Sequence, residues 1–305
     1  MQPLADRVGR IARYAPPFAF TSFFAPEDTL LCLLAGDSAL PLVGAAPSIV
    51  ELTAGSGLVG LALLEAAAGA TLLGVDVDPL AVPVARENAE RLGLAERARF
   101  AQGSLWDDTM ADTLERERVA LLVCNPPYIP EPPDGRLPLE AGSGPDGAAH
   151  VDHVIELARG ARPAALVLSW CSLCDPAGVV ARAAGAGYRL ETLLVCAIAD
   201  GEYSGLVGDY LRGLPTAFLS DAPDTVATLA PDGAARFGYL LLAGVFRREG
   251  DASAGGASEA VERLMRHFAR DGVRALERAI DAPFAVETFV LDRWDEIALR
   301  AALHG

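Results

Sequence analysis

Ser48-Ile-Val-Glu-Leu-Thr-Ala-Gly-Ser-Gly-Leu-Val-Gly60 is the stretch whose reading decides the fold. Ile49, Val50 and Leu52 form a short apolar run that reads as a buried strand. Gly55, Gly57 and Gly60 follow at G-x-G-x-x-G spacing, and the apolar residues from Leu58 to Ala68 read as a helix. Glycines let the chain turn tightly and approach a ligand with no Cβ in the way. A helix N-terminus offers free N–H groups to an anionic or polar group. Strand, turn and helix together make a nucleotide-cradling corner. The same pattern also serves a plain strand-to-helix turn, so the corner alone names no ligand.

Two further stretches narrow the reading. Leu72-Leu-Gly-Val-Asp76 is a second apolar strand, and it ends in a carboxylate about 20 residues beyond the glycines. That is the distance at which an acid grips a ribose hydroxyl in a βαβ unit. Asp78-Pro79 suits the cap and first position of a following helix, and the two roles are compatible. Then Val119-Ala-Leu-Leu-Val-Cys124 reads as a buried strand that runs directly into Asn125-Pro-Pro-Tyr128. The two prolines end the strand, because they cannot donate to the ladder, and they stiffen the loop. Asn125 and Tyr128 are therefore expected to project from a fixed backbone at the carboxyl edge of the sheet, where open α/β sheets bind ligands.

Composition bounds what surrounds these motifs. The chain has 305 residues, 51% of them hydrophobic, enough for one large domain or a domain with an appendage. No uninterrupted apolar run reaches about 18 residues, so no membrane span is expected. Met1-Gln-Pro-Leu-Ala-Asp-Arg7 lacks the basic-then-apolar pattern of a secretory signal, which makes a cytoplasmic location the expectation. Net charge is −16, and every basic side chain is arginine. Such a chain repels a phosphate backbone over most of its surface, which makes nucleic acid the less favoured partner. Of the five cysteines, Cys171 and Cys174 have C-x-x-C spacing. With no second pair or nearby His pair to complete a site, buried packing is the expectation over redox or metal work.

Residues 1–47 read as a helical lead-in, with helices over Asp6–Tyr14 and from Pro26 onward, and an aromatic cluster at Phe18, Phe20, Phe23 and Phe24 between them. Residues 48–248 read as the ligand-binding domain. Strands are expected near 48–52, 71–76, 98–101, 119–124 and 164–170, with helices between them, which implies a parallel sheet with right-handed crossovers. Arg189–Ile198 and Tyr239–Phe246 read as the last two strands, and about 40 residues separate them, too many for a structureless loop. Gln102-Gly-Ser-Leu-Trp106 reaches the same edge as the glycine turn, where Leu105 and Trp106 either flank a flat base or simply pack. Residues 129–148, rich in Pro, Gly and acid, read as a mobile loop beside Tyr128. His150 and His153 stand three apart on the next helix, too few for a metal site. Residues 249–305 read as a linker, a helix over Glu259–Ile280, a short strand over Phe284–Leu291 and a last helix over Arg293–Leu303. They form a small appendage or an oligomer contact.

Taken together, these features resemble the class I S-adenosylmethionine (AdoMet) methyltransferases, in the branch with an Asn-Pro-Pro-Tyr motif. That branch includes release-factor glutamine and adenine N6 methyltransferases. Glu51-Leu-Thr-Ala-Gly-Ser-Gly57 matches the cofactor motif, Asp76 the ribose acid, Asn125–Tyr128 the catalytic loop, and Phe24–Thr29 the segment before the domain. The resemblance implies a Rossmann-like, seven-stranded mixed sheet with a reversed last hairpin. It implies a cofactor site made of Glu51, Thr53, Gly55, Gly57, Asp76, Ser104, Leu105 and Asn125. It also implies catalysis by Asn125, Pro126 and Tyr128 with no metal. The Asn125 side-chain oxygen and the Pro126 carbonyl would accept the two N–H groups of a planar nitrogen, and Tyr128 would stack on it. Glu51 would either contact the amino-acid end of the cofactor or hold the glycine loop. Ser104 stands where many members carry an acid near adenine, so the base would be met by backbone. The strand from Leu166 lacks the acidic ending usual in release-factor enzymes, and the lead-in is shorter than their recognition domain.

The expected activity is therefore AdoMet-dependent methylation of an amide or amino nitrogen on a protein or small molecule. Adenine N6 methylation of nucleic acid is the alternative. A non-catalytic AdoMet-binding protein and an NAD-type oxidoreductase are alternatives of other classes; the latter leaves Asn-Pro-Pro-Tyr without a role.

Overall fold

The structure, a computed structural model, describes residues 1–4, 25–135, 137–231, 233–250 and 256–290. The expected helices over Asp6–Tyr14 and Arg293–Leu303 and the aromatic cluster at Phe18–Phe24 lie outside the described residues, as do residues 251–255 of the linker expected over 249–258. Elements run in the order β1 (Gln2–Pro3), α1 (Pro26–Ala39), β2 (Ser48–Leu52), α2 (Leu58–Ala66), β3 (Thr71–Asp76), α3 (Ala81–Arg91), β4 (Ala98–Gln102), α4 (Met110–Glu117), β5 (Leu121–Cys124), α5 (Ala149–Ala161), β6 (Ala165–Cys171), α6 (Pro176–Gly185), β7 (Tyr188–Ala199), α7 (Glu202–Leu206), α8 (Gly208–Gly213), α9 (Pro223–Leu229), β8 (Gly238–Arg248), α10 (Ala257–Asp271) and β9 (Ala285–Val290).

The nine strands among the described residues share one sheet, ordered β1-β9-β7-β8-β6-β5-β2-β3-β4. β2, β3, β4, β5 and β6 are parallel neighbours, while β8 runs antiparallel between β6 and β7. This is the mixed α/β sheet with a reversed last hairpin that the sequence leads one to expect. It carries two strands beyond the expected seven. β9 pairs parallel with β7 over Ala285–Val290, and β1 closes on β9. The strand expected at Phe284–Leu291 thus extends the main sheet. Its backbone pairs along the edge of β7, which would otherwise present unpaired N–H and C=O groups.

Burial follows strand position. β6, in the middle of the sheet, is buried at all seven residues and reads as an unbroken apolar run, as a strand covered on both faces must. β4, at the far edge, exposes Arg99 and buries Phe100. α1 packs on β6, β7, β8 and α2, and α10 lies on α6. The helix expected over Glu259–Ile280 ends earlier, at Asp271, because Gly272 turns with φ 60° and a 3₁₀ turn follows. The stretch between β7 and β8 holds three short helices, α7 to α9, as the loop-length argument requires. Among the described residues, no helix is long and apolar enough to cross a membrane.

Candidate functional site at the carboxyl edge

Register places the motifs side by side. Leu52 at the end of β2 pairs with Val75 in β3 and with Cys124 at the end of β5. Asp76 pairs with Gln102 at the end of β4. The glycine turn, Asp76, the Gly103–Trp106 loop and Asn125 therefore leave the sheet at one edge. They surround a cavity of about 1150 Å³. Thr53, Gly55, Asp76, Ser104, Leu105, Asn125, Pro126 and Tyr128, all expected at the site, line it. Glu51 and Gly57 do not.

The glycine corner is held by its own side chains. Gly55 and Gly57 have φ of 52° and 76°, a region that side chains other than glycine's rarely adopt. A Cβ on Gly57 would also meet the Phe100 ring at 2.7 Å. Asp76 Oδ2 accepts from Gly55 N at 2.7 Å, and its Oδ1 accepts from Asp78 N at 2.9 Å. Asp78 in turn accepts from Leu80 N at 2.8 Å in a turn ahead of α3, which starts at Ala81 with Leu80 at its cap and no side-chain cap, two residues beyond the expected start at Pro79. Glu51 is buried, and its Oε2 accepts from Gly60 N at 3.0 Å, the loop-holding contact of its two expected ones. Burial raises its pKa to about 8; the Gly60 N–H opposes that rise and the Asp76 charge adds to it.

The corner is tied to the proline-braced loop by Thr53. Its backbone is left-handed, with φ 54°, a strained state for a β-branched residue. In that state its hydroxyl lies within donating distance of the carbonyl oxygens of Asn125, at 3.1 Å, and Leu52, at 2.6 Å. Tyr128 is 8% exposed, with its backbone carbonyl packed against Gly147, where a Cβ would come within 2.6 Å. The Asn125 side-chain oxygen is buried and has no hydrogen-bond partner among the described residues. A buried acceptor left unmade costs about 1–3 kcal/mol, a cost that a donor entering the cavity would relieve.

Residues 129–148, expected as a mobile loop, are instead pinned by backbone bonds from Ile129 to Ala141, Glu131 to Gly144 and Ser143 to Ile129, at 3.0–3.1 Å. The glycines there supply tight turns rather than slack. Leu105 packs in the interior, whereas Trp106 stays half exposed and stacks on His153 with centroids 4.1 Å apart. His153 Nε2 donates to the Leu105 carbonyl at 2.9 Å, which fixes the loop beyond β4. His150 bonds Ser143 Oγ, and burial, with the neighbouring His153, lowers its pKa. Cys171 and Cys174 are both fully buried.

Residues 38–132 match the family model of the methyltransferase small domain. That stretch holds β2 to β5, the glycine corner, Asp76 and the Asn125–Tyr128 loop. The chain is 46% identical over 89 residues to a release factor glutamine methyltransferase of Rhodospirillum rubrum, covering 29% of this chain and 26% of the relative. It is 35% identical over 158 residues to that of Moorella thermoacetica, covering 48% and 54%. A tRNA1(Val) (adenine(37)-N6)-methyltransferase of Porphyromonas gingivalis is 30% identical over 104 residues, covering 34% and 40%. The matches thus span about a quarter to a half of the length of these relatives. Among solved structures, the ribosomal protein L11 methylase of Lactobacillus delbrueckii superposes with a TM-score of 0.43 at 15% identity, covering 74% of this chain and 81% of the other.

Two supporting residues escape a motif reading. Asn88 is 2% exposed, and its Nδ2 donates to the Ser56 carbonyl at 2.9 Å, bracing the glycine turn from α3. A signal existed: Asn88 falls on the stripe of Ala81, Val84 and Ala85, a polar residue on an apolar face. His153, by contrast, acts through a contact 48 residues away in sequence, which no local pattern announces.

Proposed function

We propose that this chain is an AdoMet-dependent N-methyltransferase whose acceptor is a planar amide or amino nitrogen on a protein. The observation that carries this reading is the buried, unpartnered Oδ1 of Asn125 on the wall of the cavity that also holds the glycine corner. The residues present suit the cofactor. Asp76 spends one lone pair of each oxygen on backbone N–H groups and keeps others for two ribose hydroxyls. The described lining contains several acids and no arginine, which suits a sulfonium cation.

Bound AdoMet supplies an electrophilic methyl: the S–C bond breaks with its electron pair left on sulfur, an N–C bond forms, and the nitrogen then loses a proton to water. Asn125 Oδ1 and the Pro126 carbonyl accept the acceptor's N–H groups and turn its lone pair toward that methyl. The two prolines hold both oxygens in place before the acceptor arrives, so no reorganisation is needed at the moment of reaction. Tyr128 offers a flat wall for a planar group. Oxygen acceptors also disperse the positive charge that grows on nitrogen, and they remove the need for a strong base.

The match to a tRNA adenine methyltransferase motivates nucleic acid as a second reading; the arginine-free described lining weighs against it. The NAD-type reading gives Asn125 nothing to do. Incubation with methyl-labelled AdoMet and a cell lysate, followed by separation into protein, RNA, DNA and small molecules, tests the proposal. Label in protein is the expected result. Label confined to RNA or DNA would overturn the acceptor class, and no label with no AdoMet binding would overturn the activity.

A further inference from the structure

The acceptor side of the cavity differs in chemistry from the cofactor side. Its wall is built from the start of α1, the loop after Tyr128 and the stretch from Ile198 to Ser204. Glu27, Asp28, Glu140 and Glu202 line it, and no described lining residue is an arginine. Arg236, in the same insert, is engaged by Asp200, with Nε 3.3 Å from Oδ2. His150, the one described histidine in the wall, is disfavoured as a cation by its burial. Burial also pushes the Asp28 carboxyl well above its ordinary range, with Glu27 adding to the shift, so a cation docking there would favour its charged form and release a proton.

The rim carries a second, independent feature. Apart from Met1, the large exposed apolar side chains among the described residues are Val77, Leu80, Trp106, Leu139 and Leu206. Val77, Trp106 and Leu139 line the cavity, Leu80 follows the lining residue Pro79, and Leu206 lies two residues beyond Ser204. Leu139 is 69% exposed and Leu206 61%. Scattered exposed apolar residues are ordinary, but their gathering around one opening marks an interaction surface. The rim is continuous across the opening, because Tyr203 Oη donates to Glu140 Oε1 at 3.2 Å and Tyr210 Oη donates to the Pro145 carbonyl at 2.7 Å. At about 1150 Å³, the cavity exceeds the roughly 300–1,000 Å³ that houses a single small ligand.

Building on the proposed methyl transfer, we infer that this mouth docks a basic polypeptide segment with apolar residues beside its cationic ones, and that this segment delivers the acceptor nitrogen to Asn125. Apolar side chains would seat on the exposed leucines and Trp106, and arginine or lysine would face Glu140, Glu202 and the acids of α1. Opposite charge would speed encounter, and the apolar contacts would set residence. A phosphate backbone meets the reverse: like charge, with no arginine or lysine among the described lining residues to replace its counterions.

The test uses the whole chain and short fluorescent peptides with a central glutamine. One set is flanked by arginine and leucine, one by glutamate and leucine, and one by serine and glycine; a single-stranded RNA oligonucleotide completes the panel. Anisotropy should show the arginine–leucine peptide binding about tenfold more tightly than the others, and more weakly as salt rises. The double variants Glu140→Gln with Glu202→Gln, and Leu139→Ser with Leu206→Ser, should each lose severalfold to tenfold in that affinity while calorimetric AdoMet binding stays unchanged. Equal or tighter binding of the glutamate peptide or the RNA would overturn the inference, as would absence of peptide binding. Failure of the wild-type chain to bind AdoMet would instead overturn the methyl-transfer reading beneath it.

Discussion

The glycine corner and the proline-braced loop leave the same edge of the sheet from neighbouring strands whose last residues, Leu52 and Cys124, pair with each other, but they differ in how complete they are. In the corner each key polar group already has a partner within the chain: Asp76 with Gly55 and Asp78, Glu51 with Gly60, Asn88 with Ser56. In the loop, the Asn125 oxygen has none. The corner is shaped before any ligand binds, so a cofactor would find its backbone already turned. The loop stores an unmade bond, open to a hydrogen-bond donor that enters the cavity. On the proposed function the contrast separates a binding half from a reacting half, and substitutions in each should fail in different ways.

The largest effect is expected at Gly57. Gly57→Ala puts a side chain at φ 76° and against Phe100, and should cost about 2–4 kcal/mol of stability with loss of AdoMet binding. Denaturant melts and calorimetry read both; a stable variant with normal affinity would show that the corner is not preshaped. Next, Asp76→Ala strips two backbone N–H groups of their acceptor as well as the ribose of its own. Stability should fall by about 1–3 kcal/mol, and the AdoMet dissociation constant should rise about tenfold or more. Unchanged affinity would remove Asp76 from the binding half.

Glu51 gives the comparison a pH dimension. The folded chain keeps its proton up to a pKa of about 8, whereas the unfolded chain ionises near 4.5. Between those values the folded state binds more protons, so this group lowers stability as pH rises, by about 1.4 kcal/mol per unit at most. Its favourable share is complete below 4.5 and gone above 8. Glu51→Gln keeps an oxygen for Gly60 and should flatten the fall in melting temperature across that window; parallel slopes for both proteins would show that Glu51 is ionised when folded. The smallest effect belongs to the far rim. Tyr203→Phe loses an exposed bond to Glu140 and should change stability by less than about 1 kcal/mol. A larger loss would mean the acceptor side is as tightly knit as the corner.

Much of this architecture was legible in the sequence because it rests on local signals. The apolar runs at 48–52, 71–76 and 119–124 each became a strand at the expected place, and Asn-Pro-Pro stopped β5 where prolines must. What stayed hidden depends on distant partners. Residues 285–290 look like a free short strand, and only the open edge of β7 makes them the next strand of the sheet. The early end of α10 follows from Gly272, a local signal outweighed by the apolar spacing on either side of it. The loop at 129–148 reads as slack because its composition is that of turns, yet turns facing each other form a ladder. The state of the Asn125 oxygen has no sequence signature at all. A motif names the residue, and only coordinates show that nothing among the described residues satisfies it.

That oxygen is also where the account is most directly tested. Asn125→Ala, assayed for transfer of labelled methyl from AdoMet with cofactor affinity measured on the same preparation, should lower the transfer rate by about 10²–10³-fold while the dissociation constant for AdoMet stays within severalfold. Transfer at the wild-type rate, or a cofactor affinity that collapses along with it, would contradict the division of this edge into a binding half and a reacting half.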